Sequence, residues 1–252
     1  MPDAPDKLRV VIVDDEELAR RGLRRDLAAD PGVEVVAECA DGFEAVRVVS
    51  EMKPDIVLLD IQMPRLDGFE VLELIDPAAA VIFVTAHDEH AVRAFEVNAV
   101  DYLLKPVDPD RLMKALERAR GRLARREPMP VAALTAAARP AGTTLSRILV
   151  RDGPRVHVLP VESVDYVEAQ DDYVAIHAGG RSHLKQQPIA QLETALDPGR
   201  FVRIHRSYIL NLDRLARIEL YAKDSRVAIL RDGSRLPLSR AGHARLRGLL
   251  QE

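Results

Sequence analysis

Short apolar runs alternate with amphipathic stretches in the first half of the chain, and this alternation limits the available folds more than any other feature. The runs are LRVVIV (8–13), VEVVAE (33–38), DIVLLD (55–60), AVIFVT (80–85) and DYLL (101–104). Runs rich in Val, Ile and Leu that are separated by helices are typical of βαβ units, whose parallel sheet is buried on both faces. The pattern therefore predicts an α/β domain with a doubly wound, five-stranded parallel sheet over residues 1–126.

A different pattern follows a segment rich in Ala, Pro and Thr. Residues 127–146 have no amphipathic period, which predicts a linker. Beyond it, ten short β-patterned runs are separated by turn signals such as AGG and the Asp-Gly of RDGS. Only PIAQLETALD and the C-terminal SRAGHARLRGLLQ have helical patterns. We therefore predict a mainly-β domain over residues 147–252.

The composition, 47% hydrophobic and 30% charged, is typical of a soluble globular protein. The sequence has no apolar run of about 18 residues and no secretory signal at its start, so we expect a cytoplasmic protein without a membrane partner. Its lone cysteine, Cys39, is predicted to be a small buried residue. The formal net charge of −4 conceals a net acidic first half and a net basic second half. This asymmetry is a weak indication that the second half meets an anion.

Chemically distinctive residues follow four of the predicted parallel strands. They are Asp14 with Asp15, Asp60, Thr85 and Lys105. Ligands of parallel sheets bind at the carboxyl ends of the strands, so we expect these side chains to lie together. Three converging carboxylates repel one another unless a cation neutralises them, and Mg²⁺ prefers such oxygen ligands and commonly shares them with a phosphate. The set therefore predicts phosphate chemistry.

Asp60 is the predicted nucleophile, which takes a phosphoryl group as an acyl phosphate. Asp14, Asp15, Asp60 and the backbone carbonyl of Gln62 are the predicted Mg²⁺ ligands, Lys105 neutralises the phosphoryl oxygens and Thr85 donates its hydroxyl to one of them. Each residue taken singly has a simpler interpretation as a helix cap, a solvated lysine or an ordinary strand end. The joint order of DD, D, T and K at one sheet edge favours the site.

This set resembles the receiver domain of two-component response regulators. The matching motifs are VDDE (13–16), LLDIQMPRLDG (58–68), VTA (84–86) and LLKP (103–106). The resemblance implies a flavodoxin-like fold, a sensor histidine kinase as the phosphoryl donor and Tyr102 as a switch aromatic that turns inward while Thr85 moves towards the phosphate. Relatives often dimerise through this face, where Arg93, Asp101 and Arg111 form a hypothetical set of ion pairs between protomers.

The stretch FVRIHRSYILN (201–211) concentrates basic and polar residues in an otherwise strand-like run. Period-two alternation places Phe201, Arg203 and His205 on one face and brings two half-strands together at residues 205–207. A loop there presents a guanidinium, a hydroxyl and an imidazole, which are groups that contact phosphates and bases. An ordinary polar hairpin turn is the alternative. A hydrolase built on His205 and Ser207 is disfavoured because no orienting acid follows.

The second half also resembles the LytTR DNA-binding domain, through VDYVEAQDDYVAIH (164–177), FVRIHRSYILN and the final LPLSR. The resemblance implies an elongated, mainly-β fold whose loops enter successive major grooves. The contacts that it implies come from His205, Arg206, Ser207, Asn211, Arg240, Lys185 and Asp172. Arg206 and Arg240 are the favoured base readers, while Ser207 and Lys185 are phosphate partners. Asp171 and Asp172 are a departure, because a hydrogen-bond donor would suit a phosphate better than an acid. They could accept a hydrogen bond from cytosine N4 or cap their turn, and we favour the cap.

Together these patterns predict a transcriptional response regulator that is not itself an enzyme. A histidine kinase phosphorylates Asp60, the protein dimerises, and two LytTR domains bind a repeated promoter element in duplex DNA. The alternative is a phosphorylation-controlled regulator whose β domain docks a protein partner.

Overall fold

The structure is a computed structural model that describes residues 7–75, 78–86, 100–125, 144–153, 155–222 and 225–249. Most of the predicted linker, residues 127–146, lies outside this set. The chain divides between residues 141 and 142 into two compact units. None of the helices in the described part of the chain is long and apolar enough to cross a membrane.

The first unit is built on one parallel sheet. Its strands are β1 (Leu8–Val13), β2 (Val33–Cys39), β3 (Ile56–Leu59), β4 (Ala80–Thr85) and β5 (Asp101–Leu104), and its described helices are α1 (Glu17–Leu27), α2 (Gly42–Met52), α3 (Gly68–Leu74) and α4 (Pro109–Arg125). The strand order is β2-β1-β3-β4-β5, with every neighbouring pair parallel. This is the predicted doubly wound, flavodoxin-like sheet.

The apolar runs form strands because both faces of the sheet are covered. Alternate residues such as Val10 and Ile12 pack with Leu23 of α1 and with Leu112 and Leu116 of α4. Helices α2 and α3 pack against each other and are buried along their apolar sides, which include Val46, Val49, Val71 and Leu72. Burial on both faces removes the usual alternation of polar and apolar residues in a strand.

Aspartates begin three of the helices in this unit. Asp41 accepts the Glu44 N–H at 3.0 Å at the start of α2, and Asp67 forms a capping box with Glu70 at the start of α3. Asp108, the predicted cap of α4, accepts the N–H of Arg111 at 2.9 Å. These bonds satisfy N–H groups that the first turn of a helix leaves without a partner.

The second unit is mainly β. Its strands are β6 (Arg147–Asp152), β7 (Arg155–Pro160), β8 (Val164–Gln170), β9 (Tyr173–Ala178), β10 (Arg181–Gln186), β11 (Phe201–His205), β12 (Tyr208–Asn211), β13 (Leu215–Ala222), β14 (Ser225–Leu230) and β15 (Arg235–Leu238). Its helices are α5 (Ile189–Ala195) and α6 (Arg240–Leu249), with 3-10 turns at Val161–Ser163 and Leu212–Arg214. Each run that the sequence indicated as a strand or helix in this half forms that element.

A central antiparallel sheet, ordered β10-β9-β8-β12-β11, has an apolar core on each face. One core joins Val167 and Ile209 of this sheet to β6, β7 and α5. The other joins Ile204 and Leu210 to the three-stranded sheet β13-β14-β15 and to Leu246 of α6. The two buried faces explain why β11 and β12 contain apolar residues at consecutive positions.

Candidate functional site

The predicted acidic residues meet at the carboxyl edge of the parallel sheet. Asp14, Asp60 and Thr85 are 1%, 4% and 0% exposed. The Lys105 ammonium donates a 2.8 Å hydrogen bond to Asp60 Oδ2 and lies 2.8 Å from Asp14 Oδ2. A single cation from the end of β5 thus contacts the carboxylates that follow β1 and β3.

Backbone groups hold both buried carboxylates in place. Asp14 Oδ1 accepts the N–H of Glu16 at 2.9 Å, and Asp60 Oδ1 accepts the N–H of Gln62 at 3.1 Å. The Arg20 guanidinium donates to the backbone carbonyl of Asp14 at 2.7 Å. The loops after β1 and β3 are therefore ordered around their own acidic side chains, which reduces the reorganisation needed when a ligand arrives.

Burial and charge act in opposite directions on the ionisation of this cluster. Burial raises the pKa of Asp14 above its ordinary value, although the contact with Lys105 and the Glu16 N–H oppose the shift. Burial by itself lowers the pKa of Lys105, but its hydrogen bonds to Asp14 and Asp60 outweigh that effect, and the pKa is raised. Lys105 therefore stays a cation at neutral pH.

The acidic side chains fit a hard divalent cation. One carboxylate oxygen from each of Asp14, Asp15 and Asp60 lies within 4.8 Å of the other two. Asp15 is exposed, so the cluster opens to solvent on one side. Carboxylate oxygens with room for water are the ligands that Mg²⁺ prefers. The N–H of Gln62 is already bonded to Asp60, and the predicted use of its carbonyl as a metal ligand stays a prediction.

Thr85 ends β4, and Tyr102 lies in the neighbouring strand β5, where it pairs with Phe83. The Thr85 hydroxyl is buried and has no hydrogen-bond partner among the described residues. A buried hydroxyl without a partner is costly, and such groups concentrate where a ligand completes the bonding. Tyr102 is 5% exposed, and its predicted role as a switch aromatic stays a prediction.

The hypothesis that Asp101 pairs across a dimer face needs correction. Asp101 is 1% exposed, and its carboxylate accepts two hydrogen bonds from Arg111, at 2.7 and 2.6 Å, and one from Arg118 at 2.9 Å, all within the same protomer. Its oxygens are therefore already occupied by cations of α4. Arg93, the third member of the predicted set, lies outside the described residues.

The second candidate site is the turn between β11 and β12. The ladder register shifts between Arg203 and His205, and His205 Nδ1 accepts the N–H of Ser207 at 3.2 Å. Arg206 is exposed, whereas His205 and Ser207 are half-buried. The turn thus presents one exposed guanidinium flanked by an imidazole and a hydroxyl.

The helix that begins with Arg240 lies directly behind this turn. Ser239 Oγ donates to the carbonyl of Ile204 at 2.9 Å and accepts the N–H of Gly242 at 3.0 Å, so it both caps α6 and ties it to β11. Arg240 is exposed at the first helical position. The cap therefore fixes Arg240 relative to the strand that leads into the turn of Arg206.

Asp171 and Asp172 form the two-residue turn between β8 and β9, because Gln170 pairs directly with Tyr173. Asp171 has φ of 50°, in the left-handed region that short polar side chains tolerate best. This backbone conformation is compatible with an aspartate, and the interpretation that the two acids cap their turn stays a prediction. The predicted DNA contact of Asp172, which is exposed, stays a prediction.

Two residues of the predicted DNA set have hydrogen-bond partners inside the domain. Asn211 is fully buried, and its amide donates to the carbonyl of Val164 at 2.7 Å and accepts the N–H of Asp213 at 3.0 Å. Its predicted DNA contact is wrong, because the central sheet encloses it. The half-buried Lys185 ammonium donates to the carbonyl of Leu149 at 2.9 Å and so ties β10 to β6, and its predicted phosphate contact stays a prediction.

Sequence reasoning missed several polar residues behind the β11–β12 turn. Arg203 bonds to the carbonyls of His205 and Arg206 and to the carboxylate of Glu193. Tyr208 donates to Glu168, which also lies 3.6 Å from His177 Nε2. Alternation along FVRIH had placed Arg203 on the same face as His205, and this was the only signal in the sequence.

Comparisons with known proteins cover both units. Residues 10–117 match the response regulator receiver domain, and residues 154–251 match the LytTr DNA-binding domain. An uncharacterized response regulatory protein of Yersinia pestis is 37% identical over 235 residues, which cover 92% of this chain and 94% of that protein. The transcriptional regulatory protein BtsR of Escherichia coli is 35% identical over 238 residues, with 92% and 95% covered. The response regulator domain of Thermotoga maritima CheB covers 47% of this chain and 97% of its own, at 33% identity and a TM-score of 0.40.

The chain belongs to the response regulators that join an N-terminal receiver domain to a C-terminal LytTR DNA-binding domain. The two domain matches cover residues 10–117 and 154–251 of this chain. The relatives that align over more than nine-tenths of the chain also extend across the segment between the two domains. Receiver domains generally bind Mg²⁺ in an acidic pocket, and this chain brings Asp14, Asp15 and Asp60 together in a cluster that could hold such an ion. The two domains imply a histidine kinase and DNA as partners.

Proposed function

We propose that this protein is a cytoplasmic transcription regulator in which phosphorylation of Asp60 by a sensor histidine kinase promotes dimerisation and sequence-specific binding to duplex DNA. The proposal rests on one observation above all, which is the contact of Lys105 with both Asp14 and Asp60 in a chain that also has a LytTR domain. We assign the receiver to residues 1–126, the linker to 127–146 and the LytTR domain to 147–252. In this assignment the protein is a regulator and not an enzyme.

The phosphorylation step is a transfer between two side chains. The Asp60 carboxylate attacks the phosphorus of a phosphohistidine on the kinase; the oxygen–phosphorus bond forms as the phosphorus–nitrogen bond breaks, and the imidazole leaves. Mg²⁺, held by Asp14, Asp15 and Asp60 with the Gln62 carbonyl, supplies charge neutralisation at the transferring oxygens when it is bound. Lys105, which already donates to Asp60, moves its hydrogen bond to a phosphoryl oxygen.

Thr85 and Tyr102 connect the new phosphoryl group to the rest of the domain. The unpartnered Thr85 hydroxyl is available to donate to a phosphoryl oxygen. Movement of Thr85 towards the phosphate is coupled to the buried Tyr102, and the surface around β5 changes with it. We propose that this surface forms the dimer, although Asp101 does not supply an ion pair between protomers.

DNA recognition is proposed for the exposed basic groups of the LytTR domain. Arg206 and Arg240 read base edges, since a guanidinium donates two parallel hydrogen bonds to guanine. His205, Ser207 and Asp172 contribute supporting contacts from the two turns. Because the second half of the chain is only modestly basic, two protomers on a repeated promoter element supply the affinity that one domain lacks.

The proposal is tested by selecting from random duplex DNA with the full-length protein, with and without Mg²⁺ and acetyl phosphate. The expected result is a repeated motif whose binding tightens on phosphorylation. Asp60→Asn abolishes acetyl-phosphate labelling and the tightening, whereas Asp110→Asn, an exposed acid on α4, retains both. Labelling that persists in Asp60→Asn contradicts the assignment of the phosphoacceptor. Failure to enrich any motif favours the alternative, in which the β domain docks a protein.

A further inference from the structure

The Arg203 side chain, on β11, is bonded entirely inside the LytTR domain. Its Nε donates to the carbonyl of His205 at 3.2 Å, one terminal nitrogen donates to the carbonyl of Arg206, and the other donates to Glu193 Oε2 at 2.7 Å. The side chain is 19% exposed. All three guanidinium nitrogens are thus engaged, which distinguishes Arg203 from the exposed Arg206 three residues later.

The two carbonyls that Arg203 binds belong to the turn that presents Arg206. The register shift between Arg203 and His205 interrupts the β11–β12 ladder, so strand pairing alone does not fix the backbone there. A guanidinium has a planar, rigid fork of donors that can bridge two carbonyls and a carboxylate at once. The hydrogen bonds of Arg203 therefore hold the backbone of His205 and Arg206, which the irregular strand pairing does not fix.

We call Arg203 and its bonds to the carbonyls of His205 and Arg206 the clamp. The clamp is anchored by Glu193 of α5, outside the β11–β12 hairpin. Glu193 neutralises Arg203, and α5 is held by the buried Leu192 and by a hydrogen bond from the N–H of Leu145 to the carbonyl of Ala195 at 2.9 Å. A partly buried ion pair with several hydrogen bonds is a geometric constraint even when its net contribution to stability is small. The orientation of the β11–β12 turn is consequently set by α5, the helix that precedes β11 in the chain.

We propose that Arg203, anchored by Glu193, is a positioning residue that fixes the turn from which Arg206 reads bases. The inference rests on the proposed DNA-binding function and deepens it: Arg203 contacts no base or phosphate and acts through Arg206. Removing the clamp lowers sequence-specific affinity and leaves non-specific, phosphate-driven affinity unchanged, because a base contact requires orientation whereas a phosphate contact requires mainly charge.

The test compares Arg203→Lys, which keeps the charge but loses the fork, and Glu193→Gln, which removes the anchor. Arg200→Lys is the matched control, since Arg200 pairs with Asp213 at 2.8 Å close to the start of β11 but contacts no part of the turn. Binding is measured with the full-length protein on the duplex selected by the wild type and on a scrambled duplex, over a range of salt concentrations. We expect Arg203→Lys to weaken the selected duplex by about tenfold and Glu193→Gln by less, with scrambled binding and the salt slope unchanged.

A double-mutant cycle with Arg206→Ala separates positioning from direct contact. If Arg203 acts through Arg206, then Arg203→Lys costs less than about twofold once Arg206 is alanine. Independent, multiplicative losses overturn the proposal, and so does a salt slope that falls by about one, which indicates a lost phosphate contact. Wild-type-like specific binding by both clamp variants also overturns it.

A measurement without DNA keeps this inference separate from the proposed function. Amide hydrogen exchange at residues 205–207 is expected to accelerate in Arg203→Lys and Glu193→Gln, but not in Arg200→Lys, while exchange in β8 and β9 stays unchanged. Unchanged exchange in the turn overturns the clamp itself. If the wild type selects no DNA motif and the exchange result is positive, the DNA-binding function fails while the clamp remains.

Discussion

Gly242 of α6 lies so close to Ile204 of β11 that a Cβ on Gly242 would be 2.0 Å from the Ile204 carbonyl oxygen. The same carbonyl accepts hydrogen bonds from the backbone and the side chain of Ser239. The absence of a side chain at Gly242 thus permits the contact between the helix of Arg240 and the strand that leads to Arg206.

Gly242→Ala is expected to destabilise the LytTR domain by about 1–3 kcal/mol, because the new methyl group meets backbone that cannot move aside cheaply. Calorimetric unfolding of the full chain measures this effect. Gly248→Ala on the same helix is the control. Apart from its chain neighbours and the backbone of its own helix, no atom of the described residues lies within 4 Å of the added Cβ, and alanine favours the helix by up to about 1 kcal/mol. Equal stability of the two variants would contradict the close contact.

Thr85→Val is expected to separate stability from signalling. The substitution removes a buried hydroxyl that has no partner among the described residues, so thermal stability should be retained or raised by up to about 1 kcal/mol. Because the hydroxyl is the proposed donor to the phosphoryl group, tightening of DNA binding by acetyl phosphate should be lost. Thr85→Ser keeps the hydroxyl and should retain part of the response. Normal tightening in the valine variant would remove Thr85 from the mechanism.

Arg240→Ala is expected to weaken binding to the selected duplex by about 1–3 kcal/mol if the guanidinium contacts a guanine edge. Arg247→Ala, which removes an equal charge from an exposed position of the same helix, should have a smaller effect that is the same on selected and scrambled DNA. Titrations of both variants on both duplexes provide the comparison. Identical losses for the two arginines would indicate that Arg240 contributes only charge.

The stability of the LytTR domain should decrease as the pH falls below about 6.5, the ordinary pKa of histidine. Burial lowers the pKa of His177, and the nearby Glu168 only partly opposes this shift. The unfolded chain therefore binds a proton at a higher pH than the native state does, and its protonation favours unfolding on the acid side. Urea unfolding between pH 8 and pH 5.5 measures the effect.

His177→Gln should reduce this pH dependence, since glutamine does not titrate. His183, whose pKa burial also lowers, accounts for a further part and serves as the second substitution. An unchanged slope in the His177→Gln variant would show that His177 is solvated in the same way in both states.

The sequence by itself determined the strands, the helices and the acidic pocket of the receiver domain, because all of them depend on local patterns. Apolar runs and their spacing specify strands and helices, and a parallel sheet brings residues after its strands to one edge whatever the details of packing. Asp14, Asp60, Thr85 and Lys105 therefore converge as the order along the chain predicted. Asp108 likewise begins α4 because a cap needs only its own first turn.

Tertiary structure alone decided the hydrogen-bond partners of polar residues when those partners lie on other strands or helices. Asn211 and Lys185 are residue types that often contact DNA. In this structure each donates to a backbone carbonyl of the same domain, 47 and 36 positions away respectively. Asp101 is paired with Arg111 and Arg118 of α4, and Arg203 of β11 is paired with Glu193 of α5, ten positions earlier. Burial and sheet register select among the possible partners of a polar group, and neither is encoded in the residues adjacent to it.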